Sequence, residues 1–102
     1  KGFLVYCVLL VCAKQPQYTG DIVKQMSESD LMVVEGTIYP LLLRLEKNGC
    51  INSEFRKSAY GPNRKYYTIT KAGHLEIQDF MKHWKELQQG VAAVMGGYAY
   101  ES

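Results

Sequence analysis

A mainly α-helical fold with one small β-hairpin is predicted by this sequence of 102 residues. Three patterns lead to that prediction. Apolar residues recur at helical spacing between Glu35 and Gly49, which predicts an amphipathic helix. After Gly49 the pattern changes to alternation around a Gly-Pro loop, which predicts two paired strands. A heptad of apolar residues from Ile77 to Val94 then predicts a long C-terminal helix.

The first element is an unbroken apolar stretch over residues 3–13. It is too short to cross a membrane as a helix, which needs about 20 residues, so no membrane partner is expected. Its likeness to a signal segment leaves a small secreted protein as one alternative. The three cysteines instead favour a reducing, cytoplasmic compartment, because their number is odd and no framework spacing is present. We predict a helix buried on most sides, which a second subunit helps to cover.

The second helix follows a short linker over residues 14–17, because Pro16 ends the first helix. Thr19 is the predicted N-cap, and Asp21 in the first turn complements the positive end of the helix dipole. Residues 31–34 are short and partly β-branched, and they predict a small strand. The predicted apolar face of the second helix consists of Ile22, Val23 and Met26.

The third helix has a buried face, an exposed face and a clear end. Asn48 and Gly49 end it, because both residues tolerate the left-handed backbone conformation that closes a helix. Its predicted inward side chains are Ile38, Leu41, Leu42 and Leu45. Its predicted outward side chains include Thr37, Tyr39, Pro40, Leu43 and Arg44. We interpret this helix as the element that reads DNA, with an ordinary amphipathic helix as the alternative.

The predicted hairpin has strands beginning at Ile51 and at Arg64, joined by a loop over residues 58–63. Residues 35–65 carry six Lys or Arg and three Asp or Glu, although the whole chain has a formal charge of only +2. No acidic residue occurs between Phe55 and Leu75. A local basic strip on a nearly neutral protein is typical of a phosphate-binding surface, and a solvated loop is the alternative.

Thr70 is the predicted N-cap of the last helix. Three helices followed by a hairpin give the order of a winged helix-turn-helix, whose third helix enters the major groove. We therefore predict a DNA-binding domain over residues 1–70, a dimerisation helix over 71–95 and a flexible tail over 96–102. The predicted dimer seam on that helix consists of Ile77, Phe80, Trp84, Leu87, Val91 and Val94.

Catalytic and metal chemistry is not indicated. The two histidines, His74 and His83, fall on opposite sides of one helix and cannot chelate a metal together. No Cys-x-x-Cys, paired-histidine or phosphate-loop motif occurs. We expect no enzyme, no cofactor and no metal site.

Three segments resemble motifs of the PadR-type transcriptional regulators: EGTIYP at 35–40, LRLEKNG at 43–49 and GPNRKYYTITKAG at 61–73. The resemblance covers about residues 3–90. The size of the chain and its single C-terminal helix also resemble those of the short subfamily. It implies a homodimeric repressor that binds a near-palindromic operator, with dimer contacts mainly from the last helix. The DNA-binding residues that it implies are Thr37, Tyr39, Pro40 and Arg44 on the third helix, with Gly61, Asn63, Arg64 and Lys65 in the wing.

The same resemblance adds contacts outside the DNA-binding face. Phe3 and Tyr6 of the first helix would assist the dimer seam. Multidrug-responsive members of the short subfamily carry a tryptophan at the position of Trp84, where it lines a cleft between subunits and stacks on flat aromatic ligands. Trp84 is therefore the implied contact for a planar aromatic effector. From the residues alone, plain interface packing is an equal reading of Trp84.

One departure concerns the second helix, which in the family usually opens with Gly-Tyr-Glu-Ile. This chain has Thr19-Gly20-Asp21-Ile22, so we predict that Tyr18 supplies the missing backbone contact to DNA. Leu43 is also unusual, since the corresponding position is often polar. The main alternative function is a winged-helix module that binds proteins and does not bind DNA.

Overall fold

The computed structural model describes residues 2–29, 31 and 33–98, and this part of the chain contains four helices and three short strands. The helices and strands follow the order expected of a winged helix-turn-helix, except for one added strand. The elements are α1 (Phe3–Lys14), β1 (Gln17–Tyr18), α2 (Thr19–Glu28), α3 (Glu35–Lys47), β2 (Ile51–Ser58), β3 (Gly61–Ile69) and α4 (Lys71–Met95).

Helix α1 lies at the centre of the fold and contacts α2, α3, α4 and β3. Val8 and Leu9 are fully buried, whereas Phe3 and Leu10 remain exposed. Burial raises the pKa of the Cys12 thiol to about 12, so this side chain stays protonated and packs as a small apolar group. The prediction of a largely buried first helix is confirmed for the face that carries Val8, Leu9 and Cys12.

The third strand is β1 and not the predicted segment 31–34. Gln17 and Tyr18 pair antiparallel with Tyr67 and Tyr66, so the sheet order is β1-β3-β2. The Gln17 side chain is buried, and its amide donates to the Val11 carbonyl at 3.3 Å and accepts from Gln25 at 2.9 Å. Two residues are too few to produce an alternating pattern, so the sequence suggested a linker here.

Residues 31, 33 and 34 form no strand, and Met32 lies outside the described residues. Val33 is buried in the core while Val34 is exposed, so this segment is a connection that contributes one apolar side chain. The N-cap of α2 is also corrected, from Thr19 to Tyr18. The Tyr18 backbone N–H donates to the Asp21 carboxylate at 3.3 Å, which stabilises the first turn.

The hairpin strands pair from Ile51 opposite Ile69 to Arg56 opposite Arg64, with an irregularity between Arg56 and Ser58. The connection is shorter than the predicted loop, because β3 already begins at Gly61. Gly61, Pro62 and Asn63 therefore belong to the second strand of the wing. The preceding turn after α3 is as predicted, since Gly49 has a φ of 75°, which a residue without Cβ adopts at low cost.

Helix α4 begins as predicted, with the Thr70 hydroxyl accepting from the Gly73 N–H at 3.1 Å. The same hydroxyl donates to the Gly49 carbonyl at 2.6 Å and ties the helix start to the end of α3. Ile77 is only 7% exposed because it packs in the core of the same chain, so little of its surface is left for the predicted dimer seam. Beyond Phe80, α4 extends into solvent along a molecule 57 Å long.

Candidate nucleic-acid interface

Helix α3 is anchored by Ile38, Leu42 and Leu45, which are buried, while Leu41 is only partly covered. All four of its predicted DNA-binding residues are exposed, but they do not form one patch. At about 100° per residue, Tyr39 and Thr37 lie about 160° apart around the helix. The outward surface therefore has two flanks, with Pro40 between them.

Thr37 and Arg44 lie on the flank towards α1, where they line an open groove with Phe3 and Leu4. Arg44 also borders a smaller cavity of about 310 Å³ that Tyr6 and Glu76 share. Arg44 lies on the side of α3 that faces α1 and the first turns of α4.

Tyr39 lies on the opposite flank, towards the wing. Its hydroxyl donates to the Glu35 carboxylate at 3.0 Å, and this hydrogen bond, followed by the charge of Glu35, raises the pKa of Tyr39. The hydroxyl therefore remains protonated at neutral pH. Glu35 was not among the predicted site residues, although an acid in the first turn is favoured by the helix dipole and could have drawn attention.

The outer face of the hairpin carries an alternating array of tyrosine and arginine. The rings of Tyr18 and Tyr66 lie 5.6 Å apart between centroids. The Arg64 guanidinium lies 4.6 Å from the centroid of the Tyr18 ring, and that of Arg56 lies 4.8 Å from the Tyr66 centroid. The structure thus brings together two predicted residues, Tyr18 and Arg64. It adds Arg56 and Tyr66, which were not among the predicted site residues.

Gly20 explains the departure at the start of α2. A Cβ atom at this position would lie 2.7 Å from the Tyr18 ring, which is shorter than a normal contact. The glycine therefore makes room for the Tyr18 ring over the first turn of α2. This tyrosine lies two residues before the family position, beside Arg64 and Tyr66 of the wing.

The inner face of the hairpin is directed towards α3. The Lys65 ammonium lies 3.4 Å from the Glu46 carboxylate, and the Ser53 hydroxyl donates to the other oxygen of that carboxylate. The Ser53 hydrogen bond has the largest effect on the pKa of Glu46 and lowers it; burial opposes this shift, and the charge of Lys65 lowers the pKa further. Lys65, predicted as an exposed wing contact, is instead half-buried at the junction of helix and wing.

A groove of about 290 Å³ lies where α2, α3 and the wing meet. It gathers four predicted residues from three elements, whereas Gly61 and Asn63 lie further out near the exposed hairpin tip. The guanidinium of Arg64 suits an anionic, hydrogen-bonding partner such as a phosphate backbone. The lining residues are Tyr18, Thr19, Gly20, Glu35, Tyr39, Arg64, Lys65 and Tyr67.

A second surface joins α1 to α4. The rings of Tyr6 and Phe80 stack 4.2 Å apart, and Trp84 follows 5.9 Å beyond Phe80. Trp84 is 46% exposed and borders an open groove of about 630 Å³ together with Phe3. The apolar side chains that continue this surface along α4, all exposed in the single chain, are Leu87, Val91 and Val94.

Within residues 2–29, 31 and 33–98 no cluster of three or more His, Cys, Asp or Glu has the arrangement of a metal site. The helices in this part of the chain also include none with the length and apolar character required for a membrane span.

Comparisons with known proteins agree with the geometry. The model of the transcriptional regulator PadR-like family matches residues 8–79. A PadR-like transcription factor from Bacteroides fragilis is 41% identical, with 91% of this chain and 90% of that chain covered and a TM-score of 0.82. A PadR-like transcriptional regulator from Bacillus cereus is 33% identical over 95% of each chain, with a TM-score of 0.81.

A further solved structure shows PadR of Bacillus subtilis in complex with operator DNA. Its identity to this chain is 25% and its TM-score is 0.72, over 78% of this chain and 47% of that chain.

Proposed function

Since this chain belongs to the PadR-like family of transcriptional regulators, we propose that it binds operator DNA through α3 and the hairpin wing. The observation that carries the proposal is the groove between α2, α3 and the wing, where Tyr18, Tyr39 and Arg64 converge from three elements. Helix α3 would enter the major groove while the wing contacts the backbone or the adjacent minor groove. The family consists of transcriptional regulators and not of enzymes.

The two flanks of α3 have different parts in this proposal. Tyr39, with Arg64 and Tyr18, lies on the wing side and suits phosphate and sugar contacts, which position the protein without reading sequence. Thr37 and Arg44 lie on the flank towards α1, with Pro40 next to them. The Arg44 guanidinium can form a bidentate contact with a guanine edge there. A module that binds only proteins would not need Arg64 on one flank and Arg44 on the other.

The division of the chain follows from the same proposal. Residues 1–70 bind DNA and residues 71–95 join two protomers, while the tail from residue 96 has no assigned part; residues 99–102 lie outside the described residues. The protein acts as a repressor in the cytoplasm. Two-fold symmetry of the homodimer matches a near-palindromic operator whose half-sites lie about one helical turn apart.

Arg64→Ala is expected to reduce the salt dependence of operator binding. Fragments selected from random duplex DNA supply the operator, and their dyad symmetry is itself a first result. The slope of log K against log salt concentration should become shallower by about one unit for each phosphate that the variant no longer neutralises. Fluorescence anisotropy at several salt concentrations measures the slope.

The matched control for this measurement is Lys85→Ala, which removes an exposed cation on α4, far from the wing. Its slope should equal that of the unsubstituted protein. Equal slopes for Arg64→Ala and Lys85→Ala would contradict the place of Arg64 in the interface.

Leu87→Lys is expected to convert the proposed homodimer into a monomer. Leu87 is exposed in the single chain and continues the apolar surface of Trp84, so a charge there would be buried without a partner on dimerisation. Sedimentation velocity measures the change in mass. Gln88→Lys, one residue further on at an exposed polar position, is the control and should remain dimeric; a monomeric unsubstituted protein would contradict the dimer.

The proposal also includes a planar aromatic effector that binds between the two copies of Trp84 in the dimer. It is supported by the open groove and by the stacked rings of Tyr6 and Phe80 beneath it. The effector would release DNA by binding one dimer arrangement better than another. Trp84 is the single tryptophan of the chain, so its fluorescence reports occupation directly.

A further inference from the structure

We propose that Glu46 is a positioning residue that clamps the wing to α3 and withholds Lys65 from DNA phosphates. The inference rests on the proposed DNA binding and adds to it a residue that restrains binding. Glu46 lies on the wing-side flank of α3, where one carboxylate oxygen accepts from the Ser53 hydroxyl and the other lies 3.4 Å from the Lys65 ammonium.

The clamp spans both strands of the hairpin. Ser53 is in β2 and Lys65 is in β3, and the register places Ser53 opposite Tyr67 and Phe55 opposite Lys65. Because side chains alternate between faces along a strand, Ser53 and Lys65 project from the same face, towards α3. A single side chain of the helix therefore contacts both strands of the wing.

The positive charge of Lys65 is paired with a carboxylate of the same chain. Its side chain is 35% exposed and that of Glu46 is 33% exposed, so the pair is partly screened from solvent. The ammonium also lies 5.6 Å from the centroid of the Tyr67 ring. The low pKa of Glu46 keeps the carboxylate charged at neutral pH, and that negative charge also repels an approaching phosphate.

Arg64 provides the contrast within the same strand. It lies on the outer face over the Tyr18 ring, and it has no carboxylate partner among the residues that the structure describes. Of these two adjacent cations, Arg64 is available to DNA and Lys65 is held by Glu46. The restraint would lower affinity for DNA of any sequence while keeping the wing in the position that operator binding requires.

The test compares five variants of the full chain: Glu46→Gln, Ser53→Ala, Ser53→Thr, Lys65→Met and the double variant of Glu46→Gln with Lys65→Met. Binding to the selected operator and to an unrelated duplex is measured against salt concentration. Glu46→Gln keeps an oxygen that accepts from Ser53 but releases Lys65. Binding to the unrelated duplex should tighten, with a slope steeper by about one unit for each lysine that reaches a phosphate.

The double variant separates released charge from reduced repulsion. If Lys65 is withheld, Glu46→Gln should change the slope in the native background and leave it unchanged in the Lys65→Met background. Ser53→Ala loosens the wing without adding charge, so operator affinity should fall about 3- to 10-fold at a constant slope. Ser53→Thr, which keeps the hydroxyl, should restore it.

An equal slope change with and without Lys65, or no change with Glu46→Gln, would overturn the clamp while leaving DNA binding intact. A complete absence of salt-dependent DNA binding by the unsubstituted protein would overturn both the clamp and the proposed function. Thermal unfolding of each variant, followed by circular dichroism, shows whether weaker binding reflects a disrupted fold.

Discussion

Leu42→Ala will lower the free energy of unfolding by about 2–5 kcal/mol and abolish DNA binding at physiological temperature. Leu42 is 1% exposed and anchors α3 in the core beside Ile38 and Leu45. Truncation removes apolar packing and leaves a cavity that neighbouring helices fill only in part. Since a domain of this size has little stability in reserve, the effect reaches the whole fold. Denaturation in urea, followed by circular dichroism, measures the change.

The control is the adjacent residue. Leu43 is 65% exposed on the outward side of the same helix, so Leu43→Ala should alter the free energy of unfolding by no more than about 0.5 kcal/mol. The two substitutions remove the same atoms and differ only in burial. Equal destabilisation by both would show that α3 is not packed as described.

Gly73→Ala has the second large expected effect, because α4 passes close to the backbone of Cys50 at this residue. A Cβ atom would lie 2.3 Å from the Cys50 carbonyl oxygen and 2.6 Å from Cγ1 of Ile69. The carbonyl belongs to the backbone and accepts from the Thr70 N–H, so it has little freedom to move. We expect destabilisation of about 1–3 kcal/mol and a changed angle of α4, which would alter operator spacing.

Gly90→Ala in the same helix should have the opposite effect. A Cβ atom there would have no neighbour within 4 Å in the single chain, so alanine adds helix propensity without a clash. The free energy of unfolding should rise by about 0.5–1 kcal/mol. Chemical denaturation of both variants measures the pair, and destabilisation of similar size in both would contradict the special role of Gly73.

The sequence predicted the helices well because their patterns are local. Spacing placed Ile38, Leu42 and Leu45 on one side of α3, and hydrogen-bonding chemistry placed the N-cap of α4 at Thr70. The fold class and the PadR-like family are confirmed. A residue three or four positions away is a neighbour in any helix, so no tertiary information was needed.

The strands show where such reasoning stops. The pairing of Gln17 with Tyr67 joins residues fifty positions apart, and two residues carry no period. The heptad in α4 likewise suggested one continuous seam, but Ile77 is already covered by its own protomer. Periodicity identifies an apolar face and does not say which neighbour covers it.

The sequence by itself therefore determined the four helices, the hairpin, the family and the outward side of α3. The tertiary structure alone decided their partners: Arg64 lies over Tyr18, while Lys65 faces Glu46. Alternation in β3 already required these two cations to lie on opposite faces. Which face meets α3 depends on how the hairpin packs, and that packing is set by contacts between segments distant in the chain.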